Sequence, residues 1–205
     1  MQENAKRPKN TQPWHAAASS VLAATEDQGF RIIGVTGDRM GVGVSLVSRA
    51  LAQAYAHQGI TAILVDASRV DLTDETLADL SASFDLMDAR TEVIDGVTVV
   101  DLAENAGSLP RGRQAMKELF ARTAQRDIAI VVDLPAVRGR SEYEARALGV
   151  IGAACECVLL VCLSGDITRA DLRECISNCK INRVPISGII INDWKEPAAW
   201  IASYW

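Results

Sequence analysis

The chain has 205 residues, 49% hydrophobic and 23% charged, with a formal net charge of −5. That size and balance fit one globular domain with a substantial core and argue against a nucleic-acid backbone as main partner, which would need clustered basic charge. No run approaches the roughly 18 apolar residues of a membrane span, and no apolar stretch follows the basic N-terminus as in a signal peptide, so a cytoplasmic chain with reduced thiols is expected.

Residues 1–12 are polar and carry Lys6, Arg7 and Lys9; they read as a flexible lead-in, with residues 13–205 as a single domain. The run from Arg31 to Thr36 reads as a strand and Ser45 to His57 as a helix. A second strand follows from Thr61 to Asp66, then a helical stretch around Asp71 to Ser83. The third strand spans Gly96 to Asp101, and a loop through Gly107 and Pro110 leads to a helix from Arg111 to Arg126. The fourth strand runs from Ile128 to Asp133 and is followed by helix from Ser141 to Ala154. Cys157 to Leu163 makes the fifth strand, Asp166 to Cys179 a helix started by Asp166 or Thr168, and Ile186 to Asn192 the sixth strand; a short helix is expected from Asp193 to Trp205. The strands are near-continuous apolar runs, as in strands covered on both faces. With the β-α alternation, they predict an α/β three-layer sandwich around a mainly parallel sheet.

Some features read as structure. Arg111, Arg113, Lys117, Arg122 and Arg126 form a solvated helix face. Of the five cysteines, Cys155 and Cys157 share a strand face, Cys162 lies on the opposite one, and Cys175 and Cys179 share a helix face. They sit inside apolar or helical segments rather than in zinc knuckles, so buried packing is expected. Trp194, Trp200 and Trp205 read as core or interface anchors.

Ligands of open parallel sheets bind beyond the carboxyl ends of the strands. There the first strand runs into Thr36-Gly-Asp-Arg-Met-Gly-Val-Gly-Val-Ser45, and the second and fourth end in Asp66 and Asp133. A glycine loop between strand and helix, with carboxylates nearby for Mg²⁺, is the P-loop layout. Aligned on Gly43, the motif G-x-x-x-x-G-K-[ST] puts Asp38 at the first glycine, Val44 at the lysine and Ser45 at the Mg²⁺ hydroxyl, with Gly41 inside the loop. Backbone N–H groups and the helix N-terminus could still attract an anion. The lysine supplies a charge-assisted hydrogen bond worth roughly 1.5–3 kcal/mol, so its loss alone costs on the order of ten- to a hundredfold in affinity. Asp38 adds a negative charge, which Arg39 could offset. A solvated loop for Asp38 and Arg39, and a helix-cap role for Ser45, are the plainer readings.

From about residue 12 to 195 the chain resembles the cytoplasmic domain of bacterial tyrosine kinases, within the MinD/ParA class of deviant P-loop ATPases. The loop is similar to that family's T-S-x-R-P-G-E-G-K-S. Ile63-Leu-Val-Asp-Ala-Ser-Arg69 resembles L-L-I-D-x-D-x-R, with Ser68 where an Asp is expected, and Ile130-Val-Val-Asp-Leu-Pro-Ala-Val137 resembles I-I-I-D-x-P-P-V. Val158-Leu-Leu-Val161 and Gly188-Ile-Ile-Ile-Asn192 resemble the last two strands. The resemblance implies a nucleotide site at Arg39, Gly41, Gly43, Ser45 and Asn192, the last at the base, and Mg²⁺ at Ser45, Asp66 and Asp133. It departs where the family's E-x-x-R-x-x-R falls on Gln12, His15 and Ala18, and where only Tyr204 remains of a tyrosine-rich tail.

Together these departures imply a pseudoenzyme that regulates or scaffolds capsule or exopolysaccharide synthesis. No cofactor is expected unless weak ATP or ADP with Mg. The implied partner is the cytoplasmic part of an inner-membrane polysaccharide co-polymerase or export protein, with peripheral placement through it and a face-to-face homodimer by analogy. Alternatives are a weak tyrosine autokinase with Arg39 in place of the lysine and Tyr204 as acceptor, or a MinD/ParA-like positioning protein.

Overall fold

The structure is a computed structural model that describes residues 12–70, 72, 85–87, 89, 91–105, 109–110, 112–124, 127–139 and 141–193. Seven strands form one sheet in the order β3-β4-β2-β5-β1-β6-β7. They are β1 (Ile32–Gly37), β2 (Thr61–Asp66), β3 (Thr91–Ile94), β4 (Val97–Asp101), β5 (Ile128–Asp133), β6 (Cys157–Leu163) and β7 (Ile186–Asn192). Among the described residues the α-helices are α1 (Gln12–Glu26), α2 (Val44–His57), α3 (Gly112–Ala124), α4 (Glu142–Ile151) and α5 (Arg169–Ile181). All pairings are parallel except the β3–β4 hairpin.

The inner parallel strands alternate their side chains between two cores, as a two-fold side-chain period requires. Ile33, Val35, Leu64, Val131, Leu159 and Val161 pack with α1 and α2. Ile32, Ile63, Val65, Ile130, Val132, Val158 and Leu160 pack with α3, α4 and α5. This is the expected three-layer sandwich, stabilised by about 1.5–3 kcal/mol for each large side chain taken fully from water. No helix among the described residues is long and apolar enough to cross a membrane.

All six expected strands form, within a residue of the read boundaries. Two elements were not anticipated. The hairpin strand β3 is short, and its turn signal is Asp95-Gly96, whose φ angles of 50° and 79° match a two-residue hairpin turn. Helix α1 occupies much of the stretch before β1 and seats Leu22 against α2. Of the expected lead-in only Gln12 is described, and it opens α1. The expected helix around Asp71–Ser83 and the C-terminal helix beyond Asp193 lie outside the described residues, as do Arg111 and Arg126; Arg113, Lys117 and Arg122 are exposed.

The cysteines are all buried and free. One expectation fails: Cys155 ends a short 3₁₀ turn before β6, so strand alternation does not reach it. It faces the α3–α5 core with Cys162, Cys175 and Cys179, while Cys157 faces the other. Burial pushes the Cys157 thiol to about 12 and those of Cys162 and Cys179 to about 11, which keeps them protonated and unreactive at neutral pH.

Candidate functional site

Helices α2, α4 and α5 all begin at the carboxyl edge of the sheet, but their first turns differ. Ser141 caps α4 and Thr168 caps α5, each in a reciprocal capping box with Glu144 and Asp171. Helix α2 starts at Gly43, in the left-handed region at φ 99°, with no side-chain cap. Its opening N–H groups therefore point out of the loop without a side-chain acceptor, the arrangement that attracts an anion. Ser45 lies within the helix, past the N-cap position that Gly43 occupies, so it does not fill the capping role considered for it.

The loop's shape depends on two close approaches. A Cβ on Gly37 would fall 2.6 Å from Val42 Cγ2 and 2.8 Å from Val44 Cγ2. Val44, at the position the motif reserves for lysine, thus folds an isopropyl group over the end of β1 and packs against the α1–α2 core. A Cβ on Gly43 would fall 2.9 Å from Asn192 Nδ2. That nitrogen donates to the Val42 carbonyl at 2.9 Å, so Asn192, 5% exposed, tethers the loop to the end of β7. Gly41, at φ 80°, faces open space.

Asp38 departs from the solvated-loop reading. It is 1% exposed and turns inward, where Arg138 Nη2 donates to its Oδ2 at 2.9 Å. The Arg138 backbone N–H also donates to the Asp38 carbonyl at 3.1 Å, and Arg138 Nη1 donates to Asp171 Oδ1 at 2.9 Å. A buried carboxylate with a cation partner is tolerated because pairing offsets its desolvation. The pair ties the first residue of the loop to the segment after β5 and to the first turn of α5. Arg39 forms an ion pair with Asp166 at the surface.

Asp101, Asp66 and Asp133 end three neighbouring strands in register. Asp66 accepts from the Ser68 backbone N–H at 3.0 Å and from its hydroxyl at 2.6 Å, while Asp101 pairs with Arg69 at 3.0 Å. Asp133 is 4% exposed, and its Oδ1 has no hydrogen-bond partner. Burial first, and the charge of Asp66 second, push its carboxyl up to about 7, against the lowering effects of the Ser45 hydroxyl and Arg49. The fold therefore brings Ser45, Asp66 and Asp133 to one place at the start of α2, while Asn192 tethers the loop and Arg39 is held by Asp166. The donor set, a hydroxyl and carboxylates at a strand edge, has the oxygen chemistry that suits Mg²⁺. The Asp38–Arg138 contact is what the sequence reading missed, and no local motif marks it.

No protein-family model matches the chain, and no curated protein matches it. Solved structures do. The BceF tyrosine kinase domain superposes with a TM-score of 0.64 at 26% identity, over 91% of this chain and 79% of that one. The kinase domain of the Escherichia coli tyrosine kinase ETK gives a TM-score of 0.68 at 18% identity, over 97% and 87%. The MinD cell division protein of Aquifex aeolicus gives 0.52 at 19% identity, over 80% and 70%. The structural neighbours thus include bacterial tyrosine kinase domains and MinD, as the motifs implied, and the lower-identity matches speak for the fold.

Proposed function

We propose that this chain is a non-catalytic relative of bacterial tyrosine kinase domains that regulates or scaffolds capsule or exopolysaccharide synthesis and export, at the cytoplasmic part of an inner-membrane co-polymerase or export protein. The observation that carries the loss of catalysis is Val44, packed onto the core where a lysine would reach the phosphates. Two arginines near the loop are engaged elsewhere: Arg39 by Asp166, and Arg138 by Asp38 and Asp171. A phosphoryl-transfer transition state carries more charge to neutralise than the ground state, so turnover suffers more than binding. The polysaccharide setting rests on the likeness to tyrosine kinase domains.

A second reading is favoured by the uncapped start of α2 beside Ser45 and Asp133: weak binding of ATP or ADP with Mg²⁺, the phosphates on the backbone N–H groups and the ion on Ser45, Asp66 and Asp133. Isothermal titration with Mg-ATP and Mg-ADP, on wild type and on Val44→Lys, separates the two. No heat from wild type at high micromolar ligand, with binding gained by Val44→Lys, supports the non-catalytic reading. Micromolar binding by wild type overturns it in favour of the second.

A further inference from the structure

Among the described residues, the sheet ends in two unlike edges. Strand β3 is four residues long, antiparallel to its neighbour, and carries Glu92. Strand β7 is seven residues long, Ile-Ser-Gly-Ile-Ile-Ile-Asn, parallel to β6 and without a charged side chain. Open edges present unpaired N–H and C=O groups, and proteins ordinarily blunt them by brevity, charge or proline within the strand. The first edge is blunted in this way. The second has a register shift at its start, where Ile186 pairs with Val158 but Gly188 with Leu159, and from Gly188 onward it carries no such device: Ile189 and Ile191 stand 42% and 56% exposed on one face of it, where two alternate residues of a strand must both point.

We propose that β7 is a self-association surface: the β7 strands of two copies pair antiparallel about a two-fold axis through Ile190, joining two sheets into one. The strand is complementary to itself in that register. Ile189 lies opposite Ile191 of the partner subunit, and the reverse, so each exposed isoleucine covers the other. Gly188 lies opposite Asn192 of the partner subunit, so no like charges meet across the regular part of the pair. A two-fold interface requires this reciprocity. The surface is separate from the phosphate loop but adjoins it, since Asn192 at the end of β7 holds the Val42 carbonyl. The inference does not depend on whether the loop binds nucleotide.

Sedimentation velocity on the full chain, from low to high micromolar concentration, tests it. The mass should rise from 22.1 kDa toward twice that value, while Ile189→Lys and Ile191→Lys remain monomeric with unchanged circular dichroism. A wild type that stays monomeric throughout overturns the proposal, as does a dimer that survives both lysine variants. A monomer that pairs only after residues 194–205 are removed overturns it too, and assigns the surface to that segment. If the lysine variants fail to fold, cysteine exchange decides the register. An equimolar mixture of Ile189→Cys and Ile191→Cys should cross-link under mild oxidation, the native thiols being buried, and each variant alone should not. Equal cross-linking in every combination overturns the antiparallel register.

Discussion

Asp38 and Asp133 flank the same loop, and each is buried with one carboxylate oxygen lacking a partner. Their environments resolve the cost of burial differently. Asp38 has a guanidinium 2.9 Å away. Asp133 has Asp66 as a neighbour and is pushed up to about 7. A sheet edge can hold a buried acid by pairing it with a cation or by letting it keep its proton, and this one does both. The Asp38 side is tied across three segments and is structural. The Asp133 side stays chemically adjustable, as a site for a cation would be.

The sharpest way to break this contrast is to remove the cation. Arg138→Met should destabilise the protein by about 3–5 kcal/mol in urea unfolding at neutral pH, because it leaves a buried charge uncompensated. Asp38→Asn combined with Arg138→Met should recover most of that loss. A single variant as stable as wild type would mean that Asp38 does not depend on the pair.

The Asp133 side should respond with the opposite sign. Its pKa is raised on folding, so the native state holds a proton that the unfolded chain has released. Its contribution to stability is greatest below about pH 4, falls as pH rises toward about 7, and is flat above. Asp133→Asn, which does not titrate, should therefore be more stable than wild type at pH 8 by roughly 2–4 kcal/mol, each tenfold difference in proton affinity between the folded and unfolded chain contributing about 1.4 kcal/mol. The difference should close by pH 4. Unfolding free energies across that range check it, and a pH-independent difference would contradict the assignment.

Smaller effects sharpen the picture of how the loop is held. Asn192→Ala should lower stability by about 1 kcal/mol through loss of the bond to the Val42 carbonyl and make the loop more susceptible to limited proteolysis. Thr168→Ala should cost α5 about 1 kcal/mol, measured by thermal unfolding. The same change has no counterpart at α2, whose start has no side-chain cap.

Much of this was legible in the sequence, for reasons that particular residues make clear. The parallel strands announce themselves because both faces are covered, so Ile-Ala-Ile-Val-Val and Val-Leu-Leu-Val leave no polar alternation to misread. The positions of Ser45, Asp66 and Asp133 follow from strand ends in a parallel sheet, and the fold brings them together. Strand β3 was not legible, since its four residues are half polar and largely exposed, although Asp95-Gly96 gave the turn away. The Asp38–Arg138 pair joins residues 100 apart in the chain, and only the close packing of β1, β5 and α5 makes them neighbours. The side to which Cys155 points was not legible either, because the 3₁₀ turn that it ends breaks the alternation that β6 would otherwise carry back to it.

Gly43 and Asn192 carry a further consequence. The amide of one occupies the space that a β-carbon on the other would need, at 2.9 Å, and the glycine's φ of 99° is one that other residues rarely adopt. Shortening Asn192 would therefore clear the space but leave the backbone strain, so position 43 stays closed to larger residues whatever stands at 192.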